Sequence, residues 1–315
     1  MARAVRFSRY GGPDVLALEE VALPEPGPGR VRVRVRAAGV NPADWKIRSG
    51  AFSADPDQPP QQPQGTGLDL AGTVEAAGPG VTAWSPGQHV FGKAHGGAAA
   101  ATHALAPADE LAAKPDWLSF ELAAALPTPA ETAYRALGLV GMGPGGGRGQ
   151  TVLIHAVAGG VGLIVAQLAR DRGAAVVGTA STRHHAFLRE LGVTPVTYGP
   201  GLEQRLREAA PEGVDAVVDA SGRGVLAVSV ELAGSADRVV TVADPAAAEH
   251  GVRFSGGGAD RAPLEKVFAE VLPLIEQGRL RLPVEHTFPL EETARAQRLS
   301  EEGHLRGKIV ITVGD

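Results

Sequence analysis

Residues 151–162 read Thr-Val-Leu-Ile-His-Ala-Val-Ala-Gly-Gly-Val-Gly, and this stretch constrains the fold more than any other. A short, mainly apolar run of strand length meets an Ala156-x-x-Gly159-x-x-Gly162 spacing. An apolar helical stretch follows and stops at Gly173, with Arg170 and Arg172 in its last turn. A glycine pattern alone says little, but between a strand and a helix it describes the first turn of a dinucleotide-binding βαβ unit. The glycines permit a tight turn and let a diphosphate approach backbone N–H groups at the positive end of the helix. Gly162 would let the helix lie close on the strand. Ala156, Gly159, Gly160, Val161 and Gly162 are therefore the expected phosphate-facing set.

Cofactor choice in such a unit is read at the end of the second strand, roughly 20 residues on, where an acidic residue holds the ribose hydroxyls of NAD. Here that place reads Gly178-Thr-Ala-Ser-Thr-Arg183, with no acidic residue from Ala174 until Glu190. Ser181 and Arg183 suit a 2′-phosphate instead, through hydroxyl and guanidinium hydrogen bonds. Tyr198, closing the third strand, is a further candidate for that phosphate. The expected cofactor is NADP(H).

Strands and helices alternate around this motif. Apolar runs at 151–155, 175–178, 193–198, 214–220 and 238–242 read as strands, with helices centred on 161–172, 183–191, 202–209 and 225–233. Continuous apolar strands alternating with helices indicate a parallel sheet covered on both faces. Up to about residue 120 the pattern is short and β-like instead. Val31–Ala37 alternates valine with arginine, a half-buried strand, and 70–76, 89–91 and 102–105 read as further strands between Gly/Pro turns. Residues 54–64 hold four prolines and read as a loop, either solvated or rimming a substrate cleft. Helical segments surround Pro127–Pro129, and beyond Gly258 come helix (263–277), strand (283–288), helix (290–302) and a last strand, KIVITV.

The 315 residues suit two domains, and 44% hydrophobic with 21% charged residues describes a globular chain. The net charge of −5 argues against an extended nucleic-acid surface. With no cysteine, disulfides, thiolate metal sites and cysteine nucleophiles are excluded. The N-terminal stretch lacks the apolar core of a secretory signal. The most apolar run, 151–169, contains His155, Gln167 and three glycines, which argues against a membrane span. A cytoplasmic enzyme acting on a small molecule, without nucleic acid or membrane as partner, is the expectation.

The chain resembles the medium-chain dehydrogenase/reductase superfamily, specifically its zinc-free quinone oxidoreductase branch. The matching stretches are YGGPDVL (10–16), AAGVNPADWKIRSG (37–50), GLDLAGTVEAAGPGV (67–81), ALPTPAETAYRAL (125–137), VLIHAVAGGVG (152–162) and RGKIVITV (306–313). The zinc alcohol dehydrogenases of this superfamily carry G-H-E-x-x-G-x5-G-x-x-V where this chain has Gly67–Val81. The glycines and Val81 are kept, but Leu68 replaces the ligand histidine and Asn41 stands where the first zinc cysteine would be. No catalytic zinc is expected.

The resemblance implies an α/β protein: a GroES-like, partly barrel-shaped β domain (1–121 and 256–315) and a doubly wound Rossmann domain (122–255), with the nicotinamide in the cleft between them. It implies that Asn41 lies beside nicotinamide and substrate, that Thr132 contacts the cofactor, and that Val242 and Ala243 back the nicotinamide ring. Lys46 occupies a position where relatives often carry tyrosine, and Phe52 follows on the same loop. A homodimer through the edge strand Val252–Phe254 is also implied.

Without a metal, a conjugated acceptor makes the least demand on the protein, because the charge left by hydride addition spreads over an enolate or hydroquinone anion. The reading is therefore a zinc-independent NADPH-dependent reductase of quinones or α,β-unsaturated carbonyls. A trans-acting enoyl reductase or reductive cyclisation enzyme is one alternative, and a non-catalytic NADPH-binding scaffold or sensor is another. Asn41 and Lys46 are candidate donors at the oxyanion, or else a turn former and a surface charge. Tyr134 is a candidate proton donor or a plain helix position. His95 and Phe254 are candidate cleft residues with Phe52. His155 reads as a packed histidine bonding backbone or a nicotinamide contact, and His184–His185 as solvent-facing or near the adenosine.

Overall fold

The structure, a computed structural model, describes residues 1–314. In chain order the first part contains β1 (Ala2–Phe7), β2 (Ala17–Val21), β3 (Arg30–Val40), α1 (Pro42–Arg48), β4 (Gln64–Gly65) and β5 (Asp69–Ala77). It continues with β6 (His89–Lys93), β7 (His103–Pro107), β8 (Leu111–Ala113), α2 (Phe120–Ala125) and α3 (Pro127–Leu139). The middle part is β9 (Thr151–His155), α4 (Gly160–Asp171), β10 (Ala175–Thr179), α5 (His185–Glu190), β11 (Thr194–Val196), α6 (Leu202–Ala209), β12 (Ala216–Asp219), α7 (Leu226–Ala233), β13 (Val239–Thr241), β14 (Arg253–Phe254) and α8 (Leu264–Glu276). The chain closes with β15 (Val284–Pro289), α9 (Thr293–Glu302) and β16 (Lys308–Thr312).

Two compact units result: Met1–Thr128 with Pro283–Asp315, and Pro129–Leu282. Helix α8 thus groups with the middle segment, whereas the sequence reading assigned everything from 256 onward to the closing one.

The first unit is built on β3. Its valines point inward and its arginines outward, the period-two pattern of a half-wet strand, until both faces become buried from Ala37 onward. One edge of β3 pairs with β5 throughout, and the other is shared by β7 and then β16. The seven-stranded sheet runs β15-β16-β3-β5-β6-β8, with β7 on β3, and a three-stranded sheet runs β2-β1-β4. Val31, Val33, Val35, Leu70, Val74, Val90, Ile309 and Ile311 form the core. Helix α2 packs on β3 because Gly39 has no side chain: a Cβ there would stand 2.3 Å from the Ala124 carbonyl oxygen.

In the second unit six parallel strands run in the order β11-β10-β9-β12-β13-β14. Numbered within the unit this is 3-2-1-4-5-6, the doubly wound dinucleotide-binding order, which reverses between β9 and β12. Leu153, Ile154, Val217 and Val218 are wholly buried, as strands covered on both faces require. Ligands of such sheets bind beyond the strands' carboxyl ends at the switch point.

Candidate active site

The carboxyl end of β9 leads straight into the glycine turn. Ala156 adopts φ +58°, a left-handed conformation unusual for a residue with a Cβ. Its N–H donates to the Thr179 hydroxyl at 3.2 Å, and the Val157 N–H donates to the Thr179 carbonyl at 3.0 Å. A Cβ on Gly162 would stand 2.4 Å from the Ala156 oxygen and 2.6 Å from Val157 Cα, so helix and turn touch only because this residue is glycine. Gly159 is the N-cap of α4, and no side chain caps it. A Cβ at Gly159 would meet nothing nearer than the Ala156 oxygen at 3.4 Å. The Gly159 position at the start of α4 is thus not crowded by the chain.

Beneath the turn His155 is fully buried. Ser229 spends its hydroxyl hydrogen on the Val225 carbonyl at 2.7 Å, so it accepts from His155 Nε2 at 3.1 Å. Nδ1 then accepts from Thr179 Oγ1 at 3.3 Å. The partners assign a neutral, Nε2-protonated ring. Burial lowers the imidazole from 6.5 to about 4, against the pull of Asp219. His155 is therefore a packed histidine whose partners are hydroxyls, not the backbone expected from sequence.

At the ends of β10 and β11, the Ala180 N–H donates to the Val196 carbonyl at 3.0 Å, and the Thr182 and Thr197 hydroxyls lie 3.4 Å apart. This brings the turn bearing Ser181 and Arg183 alongside the loop bearing Tyr198. Arg183 and Tyr198 are exposed and Ser181 is half-buried. Arg183 Nε donates to His184 Nε2 at 3.1 Å. His184 and His185 are both buried, a correction to the solvent-facing expectation. They belong to the packed start of α5, where His185 Nε2 lies 3.3 Å from the Ala180 carbonyl.

Val242 and Ala243 follow β13, held by bonds from Val242 N to the Asp219 carbonyl (2.9 Å) and from Ala243 N to Thr241 Oγ1 (3.2 Å). Asp219 also accepts from Thr241 Oγ1 at 2.8 Å and from Ser221 Oγ at 2.6 Å, tying the ends of β12 and β13 together. Phe254, on the outer strand, pairs with Thr241 and is exposed. Thr132 is buried on α3 beside the Glu131–Arg135 ion pair, whose Arg135 Nη1 reaches the Ser255 carbonyl at 2.9 Å.

Tyr134 lies on α3. Its ring faces Arg172, with the guanidinium carbon 5.6 Å from the ring centroid. Arg172 is the C-cap of the 12-residue α4, whose start is the glycine turn. A helix of that length spans roughly 18 Å, so Tyr134 stands near the end of α4 away from the glycine turn.

The first unit holds a separate polar cluster around Asn41, the N-cap of α1. Asp44 accepts from the Asn41 N–H at 2.7 Å and the Leu68 N–H at 3.0 Å. The Asn41 amide is fixed at both ends: Nδ2 donates to Asp69 at 2.9 Å and Oδ1 accepts from Lys308 Nζ at 2.6 Å. A carboxylate only accepts and an ammonium only donates, so one amide orientation satisfies both. Asp69 also accepts from the Thr128 hydroxyl at 2.6 Å and its N–H at 3.0 Å. Asn41, Asp44, Asp69 and Lys308 are all buried. Burial raises the Asp44 carboxyl from 3.8 to about 7, with Asp69 adding to the rise, and burial lowers the Lys308 ammonium.

Lys46 is half-buried on α1 with its ammonium 5.8 Å from the Trp45 ring centroid. Phe52 is 64% exposed, and His95 sits exposed on a short turn after β6. Asp44, Asp69 and Lys308 were not singled out from sequence. For Asp69 and Lys308 the signal was a charge inside or beside an apolar strand run, in GLDLAGTV and GKIVITV.

Residues 27–116 match the family described as "Alcohol dehydrogenase GroES-like domain", and residues 191–311 that described as "Zinc-binding dehydrogenase". The quinone oxidoreductase of Lama guanicoe is 30% identical over 99% of this chain and 97% of its own. The chain belongs to the quinone oxidoreductase family of medium-chain dehydrogenases/reductases. The Coxiella burnetii quinone oxidoreductase structure superposes with a TM-score of 0.87 at 32% identity, covering 99% of both chains. The Escherichia coli quinone oxidoreductase complexed with NADPH gives 0.83 at 26% identity, covering 99% of this chain and 100% of that one. The tomato (Solanum lycopersicum) 2-methylene-furan-3-one reductase is 32% identical over 98% of this chain and 78% of its own.

This is an NAD(P)H-dependent, quinone oxidoreductase-like enzyme. The zinc in the second family description does not fit these residues. The chain has no cysteine, Leu68 is apolar, and no group of three or more His, Cys, Asp or Glu among the described residues could hold a metal. Also among the described residues, no helix is long and apolar enough to cross a membrane.

Proposed function

We propose that the protein reduces quinones or α,β-unsaturated carbonyl compounds with NADPH as its specific hydride donor. The observation that carries the cofactor choice is the polar rim on β10 and β11: Ser181, Arg183 and Tyr198 on neighbouring strand ends, with no acidic residue in the stretch 174–189. Bound NADPH would supply the hydride; the protein binds, orients and stabilises charge. In the second unit the α4 start takes the diphosphate, Ser181, Arg183 and Tyr198 the 2′-phosphate, and Thr132, Val242 and Ala243 the nicotinamide end. In the first unit Asn41 and Lys46 offer N–H donors to the oxygen that gains charge. Asn41 is suited to this, because its amide hydrogen not bonded to Asp69 is aimed by the partners on both sides. Phe52 and His95 are the first unit's candidate acceptor contacts, and Phe254 the second unit's. The family name supports quinones, and the tomato relative's name supports enones as a second acceptor class.

The test is oxidation of NADPH, with NADH as control, against quinones, small enones and thioester enoyl substrates. Turnover with NADPH alone is expected, on at least one of the first two classes. Arg183→Ala should raise the KM for NADPH roughly ten- to a hundredfold, the loss of a charge-assisted bond, and leave NADH turnover unmoved. Turnover confined to the thioesters would favour a pathway enoyl reductase. Tight NADPH binding with no turnover on any acceptor would favour a scaffold or sensor and overturn the reductase reading.

A further inference from the structure

Arg183 is fastened through Nε to the neighbouring His184 ring. Tyr198 is held in another way. It lies on the loop between β11 and α6, where Gly199 and Gly201 adopt φ of +94° and +75° on either side of Pro200. One side chain from α6 holds this loop. Arg205 donates from Nε to the Thr197 carbonyl at 2.9 Å and from Nη1 to that of Pro200 at 2.8 Å. Its Nη2 lies 3.4 Å from the Tyr198 carbonyl and 3.3 Å from that of Gly199. A single guanidinium thus spans the carbonyls of residues 197 to 200.

Its neighbour Arg207 pairs with Glu203 and Glu231, the ordinary arrangement on a solvated helix face. Arg205 has no carboxylate partner among the described residues, although acidic side chains lie on the same helix. Its fork is committed to loop geometry.

We infer that Arg205 is a positioning residue for cofactor selectivity. Its clamp sets the Tyr198 loop beside Ser181 and Arg183 in the arrangement that grips a ribose 2′-phosphate. This rests on the NADPH reading above and goes beyond it, since Arg205 itself touches no ligand. A loop free to move would be ordered only on binding, and that ordering subtracts from affinity. The loss falls on the 2′-phosphate alone, because the diphosphate binds at the α4 start. Lysine keeps the charge of Arg205 but presents no planar fork able to span several carbonyls. Clamp and charge are therefore separable.

The experiment is calorimetric binding of 2′,5′-ADP and 5′-AMP to the wild-type protein, Arg205→Lys and Arg205→Met. The readout is the ratio of the two affinities, which a general loss of stability would not move. Expected is unchanged 5′-AMP binding and a ratio that falls about tenfold in both variants, the scale of one to two lost hydrogen bonds. A wild-type ratio kept in both variants overturns the inference. A ratio kept by lysine alone also overturns it, since charge then suffices. Loss of 5′-AMP binding in both variants would place Arg205 in the general stability of the unit and overturn its role in selectivity. A wild-type ratio near one overturns the NADPH reading, and this inference with it.

Discussion

Two buried polar networks, one in each unit, are built in opposite ways. In the first, Asp44, Asp69 and Lys308 surround the Asn41 amide, so ionisable groups of both signs are taken out of water together. In the second, His155, Thr179 and Ser229 form a chain of neutral donors and acceptors under the glycine turn. Burying charge is costly unless each ion is paired and hydrogen-bonded, whereas a satisfied neutral chain costs little. The charged cluster orients one side-chain amide from both ends. The neutral chain fixes a backbone turn. The first needs strong directional partners; the second needs only hydroxyls of the right reach.

The largest expected difference comes from removing one partner on each side. Lys308→Met leaves Asp69 and Asp44 buried without their cation and should cost about 3–5 kcal/mol in urea unfolding. Ser229→Ala leaves the His155 Nε2–H buried without an acceptor and should cost about 1–3 kcal/mol. Equal losses would break the distinction between the two networks.

Their pH dependences should also run in opposite directions. Asp44 titrates at about 7 in the folded protein and 3.8 in the unfolded chain, so the native state holds a proton that the unfolded state has released. Its contribution is full below the unfolded value and is lost as pH rises through about 7. His155 is lowered from 6.5 to about 4, so its contribution is present above 6.5 and is lost as pH falls through about 4. In thermal melts across pH, Asp44→Asn should remove the loss that accumulates as pH rises from 3.8 to about 7, and His155→Gln the opposing loss as pH falls from 6.5 to about 4. Variants that follow the wild-type profile in both ranges would mean that neither buried group governs it.

Legibility from sequence followed the same divide. Strand β9 was readable to the residue, because an apolar run, with four of its five positions buried, ends at a glycine turn. The α4 start, the β10–β11 rim and the sheet's alternation were readable for the same reason: local pattern and local chemistry coincide. The charged cluster was not. Asp69 and Lys308 meet only through the pairing of β3 with β5 and β16, and sequence spacing carries no trace of that. Helix α1 was missed although its capping box, Asn41 with Asp44, is visible in NPAD; seven residues beginning with proline read as a turn. Strands β1 (ARAVRF) and β2 (ALEEV) set adjacent apolar residues beside charges and gave no clean alternation.

The smallest effect is expected inside the neutral network. Ala156 holds φ +58° while its N–H is bonded to the Thr179 hydroxyl that also serves His155. A left-handed alanine is disfavoured by roughly 1–2 kcal/mol, and glycine removes that strain. Glycine also gains freedom in the unfolded chain, which takes back about 0.4–1 kcal/mol. Ala156→Gly should therefore stabilise the protein by about 0.5–1 kcal/mol in urea unfolding. Gly162→Ala, in the first turn of α4, should do the reverse, because its Cβ would drive into the Ala156 oxygen. If Ala156→Gly instead lowers stability, the methyl packs better than it strains. The hydroxyl chain would then be supporting a relaxed turn, and its neutral character would owe nothing to holding the backbone in place.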